Sequence, residues 1–134
     1  MLTKLKINNY ALIDSLEISF NEGMTSITGE TGAGKSIILG GLSMVLGSRV
    51  DNSKIINKEK KCFVEATFDL TDIYLRDYFR KNDLDYDVIT IIRSEVNQNG
   101  KSRAFINDTP VKLDQLSGLT NRLIDVHSQF NNLS

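Results

Sequence analysis

The chain opens on alternation. Over residues 2–8, Leu2, Lys4, Lys6 and Asn8 fall on one face and Thr3, Leu5 and Ile7 on the other. Over residues 12–20, Leu12, Leu16, Ile18 and Phe20 oppose Ser15, Glu17 and Ser19. A two-residue period predicts half-buried strands. Asn21, Glu22 and Gly23 form a turn signal, and residues 24–28, MTSIT, predict a third short strand. Residues 36–46 are apolar nearly all round, which predicts a helix buried between layers. Gly40 and Gly41 weaken that helix locally and let another backbone approach, and Gly47 is a natural C-cap.

The second half predicts more strand. Residues 62–70, CFVEATFDL, alternate. Asp72 is a candidate N-cap for a short helix over 73–81, with Ile73, Tyr74, Tyr78 and Phe79 as candidates for its buried side. Residues 88–96 carry Val88, Ile89, Ile91 and Ile92 and predict a strong strand. Asn99 and Gly100 signal a hairpin into a return strand over 102–107. A turn at Asn107 and Asp108 leads to a short extended piece around Pro110 and Val111. Leu113, Leu116 and Leu119 recur at helical spacing, and residues 122–126, RLIDV, read as a buried strand. There is no internal repeat, low-complexity tract or interdomain linker.

Residues 29–36 read GETGAGKS, the phosphate-binding pattern G-x-x-x-x-G-K-[ST]. Gly29, Gly32 and Gly34 permit backbone angles that turn successive N–H groups toward an anion. Lys35 brings a compact positive charge to the β- and γ-phosphates, and the Ser36 hydroxyl is a hard oxygen ligand suited to Mg²⁺. The helix that follows points its positive dipole end at the same place. Glu30, Thr31 and Ala33 complete the loop. The predicted order of strand, glycine loop and helix is the context that the pattern requires.

Composition narrows the picture. A chain of 134 residues that is 40% hydrophobic can bury one domain's core. A net charge of −1 advertises no global field for nucleic acid, so DNA contact would have to be local or lie elsewhere. The one cysteine, Cys62, excludes an internal disulfide and reads as a packing residue. The apolar run at 37–46 is too short to span a bilayer, and no signal-peptide block opens the chain; a soluble cytoplasmic protein is expected. Lys54, Lys58, Lys60 and Lys61 read first as a solvated face and second as a DNA-contacting patch.

Hydrolysis needs more than a phosphate cradle: a carboxylate on Mg²⁺ and a group that orients water. Asp125 is a weak match, because Arg122 breaks the apolar run before it and Val126 follows it. Residues 116–119, LSGL, lack the rest of an ABC signature and read as helix filler. His127 reads as structural rather than as a general base. Gln129, just after the last apolar segment, is either a surface glutamine or an amide that touches Mg²⁺ or the attacking water.

With these residues in view, the chain resembles the N-terminal part of the RecN family, bacterial DNA-repair ATPases of the SMC-like, ABC-type group. The resemblance is carried by residues 9–49, from NYALIDSLEISF through the phosphate loop to LGSR, by GKSRA at 100–104 and by DVHSQ at 125–129. Ser128 and Phe130 depart from the family's Gly and His. The resemblance implies an α/β fold: a P-loop NTPase head lobe with an antiparallel β-subdomain, incomplete without a C-terminal lobe. It implies ATP and Mg²⁺ as cofactors, Gln129 as the Q-loop glutamine beside Ser36 at the metal, and Arg49 near the γ-phosphate. It implies that residues 1–134 are one lobe of a split head, with the signature motif and the catalytic carboxylates beyond a coiled coil. The sequence is then expected to be a segment of a longer, nucleoid-associated protein, unable to hydrolyse ATP alone. Expected partners are DNA through the whole protein, the C-terminal lobe and a second head in a homodimer, with no membrane. Two rivals stand beside it: a self-contained small P-loop NTPase or kinase, and a non-catalytic DNA-tethering or interaction module.

Overall fold

The computed structural model describes residues 2–10, 13–21, 24–29 and 59–126. They form seven strands and two helices: β1 (Leu2–Tyr10), β2 (Ile13–Asn21), β3 (Met24–Gly29), β4 (Cys62–Asp69), α1 (Arg76–Lys81), β5 (Ile89–Val96), β6 (Ser102–Ile106), β7 (Thr109–Val111) and α2 (Leu113–Val126). The helix predicted after the phosphate loop lies outside the described residues.

The strands make one sheet in the order β3-β2-β1-β4-β5-β6-β7. Every neighbouring pair is antiparallel. Register follows hydrophobic alternation. Ile7 lies between Leu16 and Val64, and Leu5 between Ile18 and Ala66, so one face is apolar across the central strands. All six of these side chains are buried. Leu2 departs from the predicted face. A register irregularity between Leu2 and Lys4 turns it inward beside Phe68, and it is buried.

Both helices belong to the core on this inner face. Leu116, Leu119 and Leu123 bury one stripe of α2 in the same cluster as Ile7, Val64 and Ile106. That stripe overturns the strand expected at 122–126: spacing of three and then four residues keeps Leu123 on the face already occupied by Leu116 and Leu119, so the helix continues to Val126. Gly118, within the segment read as filler, has a specific packing role. A Cβ there would collide with the Tyr78 hydroxyl, which donates to the Gln115 carbonyl at 3.0 Å. Arg122 stacks over the Tyr78 ring at 4.3 Å and so ties α2 to α1 from outside.

Helix α1 is shorter than the sequence predicts. It starts at Arg76 after Leu75, without a side-chain cap, so Asp72 does not cap it. The preceding segment is held by turns instead: the Asp69 carboxylate accepts from the Thr71 N–H and hydroxyl, and the Ile73 N–H donates to the Leu70 carbonyl. Those two bonds hold the Asp69 carboxyl below its usual range. Phe79 and Ile73 are buried as predicted, Tyr78 is partly so, and Tyr74 is exposed. Asn107 and Asp108 both take left-handed φ, at 48° and 69°, and join β6 to β7 in a two-residue turn. Pro110 sits in β7, the edge strand, where its missing N–H breaks no ladder.

Candidate phosphate-loop end of the sheet

Strand β3 runs to Gly29, the first fixed glycine of GETGAGKS, and Gly29 pairs with Leu16 on β2. The sheet therefore delivers the loop's first residue at a defined place beside a buried side chain. Glu30, Thr31, Gly32, Ala33, Gly34, Lys35 and Ser36 lie outside the described residues, as do Arg49, His127 and Gln129. Asp125 falls in the last turn of α2 rather than at a strand end.

The antiparallel order decides what else shares that end of the sheet. Strand β3 leaves the sheet at Gly29, β1 ends at Tyr10, β4 starts at Cys62, and β5 ends at Val96. Each of these termini lies toward the same end. The β5–β6 connection, residues 97–101, is there too, and it leads into the GKSRA segment.

This connection is a hairpin, as Asn99 and Gly100 predict, but one of five residues rather than two. Asn97 organises it. Its N–H donates to the Lys101 carbonyl at 2.9 Å, and its carbonyl accepts from the Gly100 N–H at 3.0 Å. Its side-chain oxygen accepts from the N–H groups of Asn99 and Lys101. Gly100 stands at φ 79°, a conformation that glycine adopts without strain.

At the same end, Asn9 is buried and holds a left-handed φ of 56°. Its side-chain amide donates to the Lys60 carbonyl at 3.1 Å. Nothing in the alternation marks Asn9 as special; only the fold brings it to residue 60.

The outward face of the sheet carries charge. Across four strands, Glu17, Lys6, Glu65 and Arg93 stand in one cross-strand row of alternating sign. The Arg93 guanidinium lies 3.3 Å from Glu65 and 2.9 Å from Glu95, and stacks 4.1 Å over the Phe63 ring. Lys61 reaches the other oxygen of Glu95 at 3.5 Å. The Glu95 side chain is only 5% exposed, so these two cations compensate a carboxylate largely withdrawn from water. Lys61, one of the four lysines read as a solvated face, is thus engaged within the chain. A shallow groove on this face includes Arg93, Glu95, Arg103 and Phe105. Among the described residues, no group of three His, Cys, Asp or Glu side chains could hold a metal ion, and no helix is long and apolar enough to cross a membrane. Cys62 is buried, and burial pushes its thiol up to about 11, consistent with packing rather than reactivity.

Comparison with known proteins agrees with this architecture. A family model for an AAA domain matches residues 4–134. The DNA repair protein RecN of Vibrio cholerae is 43% identical over 130 residues, covering 96% of this chain and 24% of the relative. RecN of Bacillus subtilis is 34% identical over 134 residues, covering 98% and 23%. The chain therefore spans about a quarter of the length of the curated relatives it matches. In solved structures, an SMC head bound to the C-winged helix domain of ScpA superposes with a TM-score of 0.64 at 18% identity, over 90% of this chain and 40% of the other. A chain from work on ATP-driven dimerization and DNA-stimulated activation of SMC ATPases gives 0.63 at 22% identity, over 90% and 78%. The RecF–ATP structure gives 0.53 at 15% identity, over 83% and 27%. The resemblance drawn from the phosphate loop and the GKSRA segment thus extends along the whole chain, and the fold is that of SMC and RecF heads. By its family match over nearly its full length and its similarity to the RecN repair proteins, the chain belongs to the AAA domain family.

Proposed function

We propose that this chain is the ATP-binding N-terminal lobe of a split SMC-like head in a DNA repair and recombination ATPase. One observation carries the reading: β3 ends on Gly29 at the edge of a sheet with the SMC-head fold, and GETGAGKS begins there. The donor set suits a nucleoside triphosphate with magnesium. Backbone N–H groups of residues 29–34 and the Lys35 ammonium fit the phosphates, and the Ser36 hydroxyl fits Mg²⁺. When bound, the ion neutralises charge on the phosphates. Gln129 is assigned beside Ser36, and Arg49 near the γ-phosphate. In this reading Lys35 would balance negative charge, Ser36 and Gln129 would hold the cation, and the glycines would permit the backbone angles that turn N–H groups toward the anion.

In this reading a C-terminal lobe supplies the carboxylates and the signature motif, and a second head closes over the nucleotide. DNA is engaged by the whole protein, in the bacterial cytoplasm at the nucleoid. Titration of the chain with a non-hydrolysable ATP analogue and Mg²⁺ tests the reading. Saturable binding that Lys35→Ala weakens at least tenfold is expected, with no steady turnover by the chain alone. Binding indifferent to Lys35→Ala would sink it, and no binding would favour a non-catalytic interaction module. Steady turnover lost in Lys35→Ala would favour a self-contained NTPase.

A further inference from the structure

The outer face of β4–β7 pairs exposed apolar side chains with charges that are sorted by end. Ile89 and Ile91 of β5 point away from the core and are 44% and 40% exposed. Beside them runs a cross-strand row of Glu65, Arg93, Phe105 and Pro110. Toward the β5–β6 turn from that row stand Arg103, opposite Glu95, and Lys101, whose carbonyl closes the turn. Glu95 itself is already compensated by Lys61 and Arg93. At the other end stands Asp108, in the β6–β7 turn. Asp85 and Asp87 are exposed at that end too. The Asp85 carbonyl accepts from the Asn107 side chain, and the Asp87 carboxylate accepts from the Ile89 N–H. Among the described residues, Lys101, Arg103 and Asp108 form no ion pair. Arg103, Ile91, Phe105 and Asp108 line one groove.

A groove that is basic at one end, apolar in the middle and acidic at the other selects its occupant. A phosphate backbone laid along it would leave the cations and run onto Asp108, like charge against like. A short acidic peptide would use the basic end and leave Asp108 unmatched. A second copy of the same face matches both ends. We infer that the outer face of β4–β7 is a self-complementary docking surface for a second copy of this chain, with Arg103 of each copy against Asp108 of the other. The twofold axis lies in the interface, along the Arg93–Phe105–Pro110 row. Phe105 and Pro110 then meet their own counterparts, and each strand end meets the opposite end of its partner, the isologous arrangement of a closed dimer. Glu65 and Arg93 also lie on the axis, but they are paired within the chain and bring no uncompensated charge to it. Two sheets packed this way keep their strands roughly aligned. The face spans about 14 Å from β4 to β7 and about 26 Å along β5 at ordinary strand dimensions. That is less than the roughly 800 Å² that each partner gives a standard interface, so the dimer is weak. It involves the edge of the sheet opposite to β3 and GETGAGKS, and it needs no nucleotide.

Sedimentation velocity of the chain without nucleotide, from about 1 μM to about 300 μM, reads the dimer directly. A concentration-dependent equilibrium of monomer and dimer is expected. Arg103→Asp and Asp108→Lys each set like charges across the axis, twice per dimer, and each is expected to raise the dimer Kd about tenfold or more. Asp108→Asn, which suits the left-handed φ of 69° and removes charge alone, is expected to raise it about two- to fivefold. The double variant Arg103→Asp with Asp108→Lys restores opposite charges at both contacts and is expected to return Kd to within about threefold of the parent. Within one chain the two residues are about 16 Å apart along the strand direction, beyond a screening length of about 8 Å, so rescue reports a contact between chains. Melting curves check that every variant folds. A parent chain that stays monomeric at every concentration overturns the inference, and capture of a labelled DNA duplex or acidic peptide, lost in Arg103→Asp, would then give the face to that partner. Failure of the double variant to rescue overturns it too. A dimer that forms only with an ATP analogue and Mg²⁺ also overturns it, and leaves the nucleotide reading standing.

Discussion

The two faces of the sheet are built from the same strands and obey different rules. The inner face is mainly apolar: Leu5, Ile7, Val64, Ala66, Ile92 and Ile106 are buried there with Leu116 and Leu119 of α2. The outer face is a charge lattice in which Lys6, Glu65 and Arg93 alternate across neighbouring strands. A charged residue crosses the rule. Glu95 lies on the outer face and is buried all the same, because Lys61 and Arg93 cover it. Stability on the inner face comes from removing apolar area from water. On the outer face, pairs left in water contribute little, and a buried carboxylate contributes only while its cations stay.

Substitutions can break this contrast, and the inner face should yield the largest effects. Phe79→Ala removes a fully buried ring that packs edge-on against Tyr86 at 5.3 Å. A loss of about 3–5 kcal/mol in urea unfolding is expected. A value below about 1 kcal/mol would mean that the helical layer is not part of the cooperative unit.

Cys62 probes the same layer through pH. Its thiol is neutral when protonated, and burial raises its pKa from an ordinary 9.0 to about 11. The folded state therefore holds the proton more tightly than the unfolded chain. The sign follows: the contribution is fully present below pH 9 and is lost as pH rises from 9 to about 11. Stability should fall by about 2–3 kcal/mol across that window, and Cys62→Ala should remove this part of the slope. An unchanged slope in the variant would refute the assignment.

Gly118→Ala drives a methyl group into the Tyr78 hydroxyl. A loss of about 1–3 kcal/mol is expected, with partial recovery when Tyr78→Phe is added. Additive losses would show that the clash is not with that hydroxyl.

The outer face then separates its two kinds of cation. Arg93→Ala strips Glu95 of one partner and should cost about 1–3 kcal/mol. Lys6→Ala, at an exposed site in the same cross-strand row, should change stability by less than about 0.5 kcal/mol. Equal effects from the two would dissolve the distinction between buried and exposed charge.

Much of this architecture is legible in the order of residues, because its signals are local. Alternation marks β2, β4 and β1 beyond Leu2, and β5 and β6 are bracketed by turn residues whose backbone preferences are intrinsic. The GETGAGKS pattern is legible for the same reason, since its four fixed positions stand within eight residues of one another. The last segment misleads: RLIDV is apolar enough for a strand, and only the stripe already laid down by Leu116 and Leu119 makes a continued helix the better burial. Asp72 looks like a cap, yet Asp69 and Thr71 close the turn before a helix can start there.

Sequence alone determined that this chain is rich in antiparallel strand, where its G-x-x-x-x-G-K-[ST] pattern stands, and to which family it belongs. Only the tertiary structure decided that Glu95 is buried and that Asn9, Gln98 and Glu95 meet at residues 59–61. Alternation and turn preference act between neighbours in the chain. The Lys61–Glu95 pair and the capture of the residue 59 and 60 carbonyls act between residues that are 34 to 51 positions apart here, and no local pattern announces them.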